Sequence, residues 1–443
     1  MTQASRRQGE TLFEQLAKAC CYAAFLTGAR LWIIQLLSVT NETSNHNVFI
    51  LGAGFSRDAG APLIHDFLDM SREFFDDPDS DMDEKERSQF REVFEFKTRV
   101  AQAREKFRID LDNIEQLFGL VEMSHRLNSD SAETRDAIVY LIAKTLQLAV
   151  ARSKRRGWMQ VGINDEFLST SLPFISFVEP EAGRTNVYRV DMYKYFALLL
   201  AGMYDDPRKA SSRSSVVITF NYDLVLDDAL KEIGAGPAYG LPNAMIDEPE
   251  TATTNTPSVL VLKLHGSTNW AICPRCKKIY VLGRKLTENP ASFRARNCDS
   301  CLDEKLRLLL VPPSWDKSEY SEPLQPVWRQ AVEALKRATR ICVIGYSMPE
   351  TDAFFKFLLT LGLAENHQLY KFILVDRVRS QPQIAGAGPS RSKKVNPIDQ
   401  RYKEMLEDIF VERRFVFSPD GLHQFLRGGA CADLGRGEAI TQM

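Results

Sequence analysis

Val48-Phe49-Ile50-Leu51-Gly52-Ala53-Gly54-Phe55-Ser56 is the stretch whose reading decides the fold. Four consecutive apolar residues without alternation fit a strand covered on both faces. Gly52 and Gly54 then supply a tight turn, and Ala59-Gly60-Ala61-Pro62 follows where a helix has begun. A glycine turn that opens a helix suits a pyrophosphate. Backbone N–H groups and the helix dipole favour the anion, and glycine lets it approach closely. The full G-x-G-x-x-G spacing is absent, since the next glycine is Gly60, so a purely structural turn is the competing explanation.

Strand texture recurs at Val216–Phe220, Val259–Leu264, Leu308–Val311, Ile341–Ile344 and Phe372–Val375, again as largely continuous apolar runs. Helical segments such as Pro326–Ala338 and Asp352–Leu361 lie between several of them. Strands alternating with helices predict an α/β fold, a doubly wound, Rossmann-like parallel sheet built from residues 47–64 and 214–428. Residues 65–213 predict a large helical insertion. Leu111, Ile114, Leu117 and Phe118, and Ile138, Leu141, Ile142, Leu146 and Val150, repeat at helical spacing as core stripes. Asp76–Glu86 reads as an exposed acidic loop. Residues 1–46 read as an N-terminal extension, helical to about Val39. Gln381–Asn396 reads as a mobile loop and residues 429–443 as a tail.

Composition narrows the function. The formal net charge is −2, with 26% charged residues, so no global field draws the chain to nucleic acid. The run Arg152-Ser153-Lys154-Arg155-Arg156 reads as a solvated helix end. The apolar region Ala19–Leu37 carries Arg30 in its middle and makes a poor membrane span. No secretory leader is evident. The eight cysteines do not form a disulfide pattern, which places the chain in a reducing, cytoplasmic compartment.

Cys273-Pro274-Arg275-Cys276 and Cys298-Asp299-Ser300-Cys301 are two C-x-x-C knuckles with 21 residues between them. Two knuckles supply four thiolates for a tetrahedral zinc ion, so residues 271–303 read as a zinc ribbon. Four protein ligands leave no open position, which makes the zinc structural. Asp376, at the end of the Phe372–Val375 run, is placed to accept hydrogen bonds from ribose hydroxyls. It could equally serve as a cap or a partner of Arg377.

The order of motifs is more specific than any one of them. Gly52-Ala53-Gly54-Phe55-Ser56, Thr219-Phe220-Asn221-Tyr222-Asp223, His265-Gly266-Ser267, the two knuckles, Gly345-Tyr346-Ser347 and Asp376-Arg377 follow one another. This arrangement resembles the sirtuin family, and in particular the divergent bacterial sirtuin-like proteins, many of which deplete NAD during phage infection. The resemblance covers residues 47–64 and 214–380. It implies NAD as substrate, with its phosphates held at Gly52, Ala53, Gly54, Phe55 and Ser56. It puts Asn221 and Asp223 at the nicotinamide–ribose end, His265 as the catalytic histidine, and Gly345 and Ser347 near the adenosine ribose. It also implies a homo-oligomer, and a partner ATPase or activator protein. Asn113 is a further candidate, because divergent relatives carry a similar segment.

Two departures bear on the reaction. Phe220 stands where the sirtuin T-Q-N-I-D motif has glutamine, and Leu63-Ile64-His65 follows Pro62 where sirtuins have Asp-Phe-Arg. Both disfavour protein deacylation more than NAD binding. The expected activity is therefore hydrolysis of the nicotinamide–ribose bond. A deacylase or ADP-ribosyltransferase, and a non-catalytic NAD sensor, are the alternatives. In the expected mechanism Asp223 holds the amide or stabilises charge, Asn221 positions water, and His265 accepts a proton. Asn221 and Asp223 can also cap a helix starting near Leu224.

Overall fold

A computed structural model describes residues 46–105, 109–127, 132–153, 158–162, 175–178, 187–202, 214–247, 258–283, 296–312, 318–349, 353–377, 396–419 and 421–427. These belong to one contact unit, residues 45–443. The N-terminal extension up to residue 45, the loop at 381–395 and the tail at 429–443 lie outside the described residues.

The strands are β1 (His46–Leu51), β2 (Trp158–Gly162), β3 (Ile175–Val178), β4 (Val187–Asp191), β5 (Ser214–Thr219), β6 (Gly236–Ala238), β7 (Met245–Ile246), β8 (Ser258–Lys263), β9 (Gly266–Ile272), β10 (Ile279–Val281), β11 (Arg307–Leu310), β12 (Arg340–Ile344), β13 (Lys371–Val375) and β14 (Phe415–Ser418). The helices are α1 (Ala53–Ser56), α2 (Phe67–Asp76), α3 (Glu84–Ala101), α4 (Ile114–Leu127), α5 (Ala132–Arg152), α6 (Met192–Leu200), α7 (Val225–Glu232), α8 (Ser318–Arg337), α9 (Ala353–Leu363), α10 (Pro397–Met405), α11 (Asp408–Arg414) and α12 (Gly421–Arg427).

Seven strands form one sheet in the order β14-β13-β12-β1-β5-β8-β6, and every pairing is parallel. The expected doubly wound sheet is therefore present. β1 sits at its centre, between β5 and β12, and Phe49 and Ile50 have no exposed surface. From β1 the chain builds outward through β5 and β8, then returns to place β12 on the other side. Strand order reverses between β1 and β12. In open parallel sheets ligands bind beyond the carboxyl ends of the strands at such a point.

The run Leu308–Val311 corrects an expectation. It joins a second sheet, β11-β9-β10-β7, and pairs antiparallel with β9. The run looks fully covered because it is covered. Leu309 faces the main core, while Leu308 and Leu310 belong to the core shared with the helices α3, α4 and α5. Continuous burial is shared by parallel core strands and by any strand sandwiched between two layers.

Residues 65–213 hold five of the helices, together with an antiparallel sheet β2-β4-β3 that helical periodicity did not reveal. Helix α3 starts with a capping box, in which Asp83 accepts from Glu86 N–H at 2.8 Å and Glu86 accepts from Asp83 N–H at 2.7 Å. Glu86 is 5% exposed, not part of an open loop, because its carboxylate also takes Tyr140 Oη at 2.5 Å and Lys144 Nζ at 3.2 Å. Helix α6 packs elsewhere, in the main core, with Phe196 edge-on to Phe49 of β1 at 5.3 Å. No helix among the described residues is long and apolar enough to cross a membrane.

Candidate functional site

Two turns meet at the strand-order reversal. Gly52 N–H donates to Ile344 O at 3.1 Å, and Gly54 N–H donates to Gly345 O at 2.8 Å. A Cβ on Gly52 would lie 2.6 Å from Gly345 O, and one on Gly54 would lie 2.8 Å from Gly345 Cα. The contact of two backbones thus requires these glycines before any ligand is considered. It also commits two N–H groups that the sequence reading had offered to a phosphate.

Beyond the turns opens a cavity of about 520 Å³, within the roughly 300–1,000 Å³ typical of ligand pockets. Ala53, Gly54, Asn221, Asp223, His265, Gly345, Ser347 and Asp376 all line it. Residues far apart in sequence therefore converge on one cleft. Gly52, Phe55 and Ser56 are not in its wall. Phe55 is buried against Tyr193 and Phe196, and Tyr193 Oη donates to Phe55 O at 3.0 Å while accepting from Ala59 N–H at 2.9 Å. Burial pushes the Tyr193 phenol far above its usual value, so it remains a hydroxyl donor.

Asn221 follows β5. Its Nδ2 donates to Gly52 O at 2.9 Å and to Ser56 Oγ at 3.2 Å, so both amide hydrogens hold the glycine turn. Its Oδ1 has no hydrogen-bond partner among the described residues. Ser56 in turn hydrogen-bonds Asp223. Asp223 Oδ1 accepts from Val225 N–H at 3.0 Å, so Asp223 does hold the first turn of α7, as capping would require. Desolvation raises the Asp223 carboxyl above the usual range, against the opposing charge of Lys263.

His265 lies where the chain leaves β8 and enters β9. Gly266 makes this corner possible, with φ +84° and space so tight that a Cβ would meet Leu309 O. His265 is 3% exposed. Its ring stands edge-on to Phe220 at 5.2 Å, and its carbonyl accepts Val311 N–H at 2.9 Å. Phe220 stacks on Tyr346 at 4.8 Å and 17°, so the position that holds glutamine in the sirtuin motif is here an apolar wall.

Sequence reading missed several lining residues. Arg57, Asp58 and Arg377 are among them, and Arg377 Nη2 bridges both Asp58 oxygens at 2.6 and 2.9 Å. Asp376 does not pair with the Arg377 guanidinium; it accepts the Arg377 backbone N–H at 2.6 Å. Ile114, Phe118, Ile142 and Leu146, read as core alone, also form an apolar wall of the cavity. The helical spacing that revealed them does not distinguish a wall from a core. Asn113 Oδ1 accepts from Glu115 and Gln116 N–H at 2.9 and 3.2 Å, which makes it the cap of α4.

The thiols of Cys273, Cys276, Cys298 and Cys301 lie within 4.8 Å of one another. Tetrahedral zinc with sulfur at about 2.3 Å needs thiols about 3.8 Å apart, so the cluster fits the metal. The two knuckles have matching turns. Lys277 N–H donates to Cys273 O at 2.9 Å and Leu302 N–H to Cys298 O at 2.8 Å, each donor at positive φ. One zinc per chain is expected by metal analysis. Cys276→Ser should lose it and melt about 5 °C or more below the parent protein, because metal binding contributes folding energy. Equal melting of the zinc-free and zinc-bound protein would remove the structural assignment.

Residues 215–384 match the SIR2-like domain. The SIR2-like stretch includes β5, β8, β12 and β13, Asn221, Asp223, His265, the four cysteines, Gly345, Ser347 and Asp376, but not the glycine turn after β1. Among solved structures, the chain is similar to that of Sir2Tm bound to a propionylated peptide, at 14% identity and a TM-score of 0.33, covering 90% of this chain and 99% of that one. It is also similar to a Sir2–p53 peptide–NAD+ structure, at 15% identity and a TM-score of 0.32, covering 89% and 95%. No curated protein matches the chain.

Proposed function

We propose that this protein is an NAD glycohydrolase that cleaves the nicotinamide–ribose bond, releasing nicotinamide and ADP-ribose. The observation that carries the reading is the convergence of Asn221, Asp223 and His265 with Gly54, Gly345, Ser347 and Asp376 on one cavity at the strand-order reversal. The match of residues 215–384 to the SIR2-like domain supports it.

Cleavage builds positive charge on the ribose, as in glycoside hydrolysis. Asp223, raised by burial but opposed by Lys263, stabilises that charge in its ionised form. Asn221 keeps its donors on Gly52 and Ser56, which leaves its amide oxygen to accept a hydrogen bond from the attacking water. His265 takes the proton from that water or from a ribose hydroxyl. Asp376 accepts the adenosine ribose hydroxyls, and Arg57 neutralises phosphate at the rim. The Phe220–Tyr346 stack replaces the polar side chain of the protein-deacylating pattern, which favours water over an acyl-lysine peptide as acceptor. On the resemblance of its motifs to the defence-type proteins, we place the activity in NAD depletion during phage infection, triggered by self-assembly or an activator.

The test is incubation of the pure protein with NAD alone, before and after activation, while nicotinamide is followed. Release without peptide is expected. Release only with an acyl-lysine peptide would make the protein a deacylase. NAD binding without release under any trigger would make it a sensor.

A further inference from the structure

Lys263 is the last residue of β8 and is 1% exposed. A buried ammonium is costly unless every hydrogen has a partner. Here all three do. Nζ donates to the backbone carbonyl of Asp223 at 2.6 Å and to Ser267 Oγ at 2.8 Å, and it pairs with Asp227 Oδ2 at 3.0 Å. Asp227 Oδ1 accepts from Tyr239 Oη at 2.5 Å, and Asn269 Nδ2 reaches that same hydroxyl at 3.3 Å. The neighbouring carbonyl, Tyr222 O, accepts from Thr268 N–H at 2.9 Å.

One ammonium therefore joins the turn that carries Asn221 and Asp223 to the corner that carries His265. Asn221 and His265 are contributed by different strands, and no hydrogen bond between their side chains fixes their spacing. The Lys263 hub helps to do so, beside the backbone bond from Leu264 N–H to Thr219 O at 3.0 Å.

We infer that Lys263 is a positioning residue: with Asp227 and Ser267 it fixes the Asn221–Asp223 turn against the His265 corner and keeps its positive charge next to the Asp223 carboxylate. The catalytic part of this inference rests on the hydrolase reading above; the positioning part does not. The charged and titratable groups around Asp223 come from several elements. Lys263 lies on β8, Asp227 and Asp228 on α7, and Tyr193 and Lys194 on α6. Asp191 ends β4, His265 stands at the next corner, and Arg57 and Asp58 line the same cleft. Lys263 is the largest influence that lowers the Asp223 carboxyl.

The experiment compares the full chain with Lys263→Met/Asp227→Asn and with Asp227→Asn alone. Changing both members of the buried pair avoids leaving an uncompensated charge, so the double variant should fold. Thermal melting and zinc content check this. Removal of the ammonium should lower kcat for nicotinamide release by about 100-fold, with KM changed by less than about threefold. It should also move the acid limb of the pH profile to higher pH. Asp223 acts ionised, activity rises as pH passes its pKa, and losing the cation raises that pKa further. Asp227→Asn keeps the ammonium and removes a negative charge that raises the Asp223 carboxyl, so its acid limb should move to lower pH, opposite to the double variant.

Hydrogen exchange over residues 219–226 and 264–269 gives a readout that needs no activity. Both segments should exchange faster in the double variant. If the parent protein releases no nicotinamide, the hydrolase reading fails, and exchange alone decides the positioning role. Unchanged exchange, or an active double variant with an unmoved acid limb, overturns the inference.

Discussion

Replacing His265 with Ala is expected to lower nicotinamide release from NAD by about 100-fold or more in the activated protein, while NAD still binds. The corner that carries His265 is held by contacts the imidazole does not make. Gly266 turns the chain beneath Leu309, Val311 N–H is bound by the His265 carbonyl, and Trp328 Nε1 donates to Leu264 O at 3.1 Å. Truncation should therefore remove the ring without moving the strand ends. Its structural cost comes from the ring contacts with Phe220 and Tyr222 and from the space a buried ring leaves behind, about 2–4 kcal/mol. His265→Gln keeps polar bulk in the same space and should be as inactive as the alanine variant, because an amide is not a base at neutral pH. Steady-state nicotinamide release and NAD binding by calorimetry, measured on the same preparations, separate lost chemistry from lost affinity. Turnover within about threefold of the parent protein would leave His265 as a packed core histidine.

Gly345→Ala should be strongly damaging. Gly345 has φ +62°, and a Cβ there would lie 2.3 Å from Phe55 N and 2.4 Å from Gly54 C. The left-handed backbone alone costs an L-residue about 1–2 kcal/mol. The clash adds to this, because the opposing atoms are backbone and cannot rotate away. They can be relieved only by separating the turns after β1 and β12, which breaks the Gly54–Gly345 hydrogen bond and reshapes the cavity. A total near 3 kcal/mol lowers the melting temperature by about 5 °C or more, and NAD binding should fall with it. Gly234 is the control. It also has positive φ, at +77°, but a Cβ there meets nothing within 4 Å, so Gly234→Ala should carry the backbone cost alone. Equal melting of the two variants would show that the contact between the turns contributes little.

Much of the fold was legible because burial leaves a direct trace in sequence. The centres of the β1, β5, β8, β12 and β13 runs are continuously apolar because they are buried in the main core. The edge strands left no such trace. β6 is three residues long and contains Pro237, and β14 reads Phe-Val-Phe-Ser with partly exposed side chains. The cysteine cluster was readable because metal geometry fixes ligand spacing. Within the candidate site, the motif residues Asn221, Asp223 and His265 could be named, but not the ties between them. The Lys263–Asp227 pair, the Arg377–Asp58 bridge and the close approach of Gly54 to Gly345 depend on tertiary contacts that no local pattern encodes. The glycines show the limit most clearly. A phosphate loop and a backbone crossing demand the same residue for the same steric reason.

The central position of β1 has a consequence for how the molecule comes into being. His46 hydrogen-bonds Thr339, 293 residues later in the chain. During synthesis at about 5–20 residues per second, the central strand of the sheet leaves the ribosome roughly 15–60 s before its β12 neighbour exists. The glycine turn waits equally long for Gly345. The cleft therefore cannot close on a nascent chain until translation has passed β12 and Gly345, long after the glycine turn has emerged.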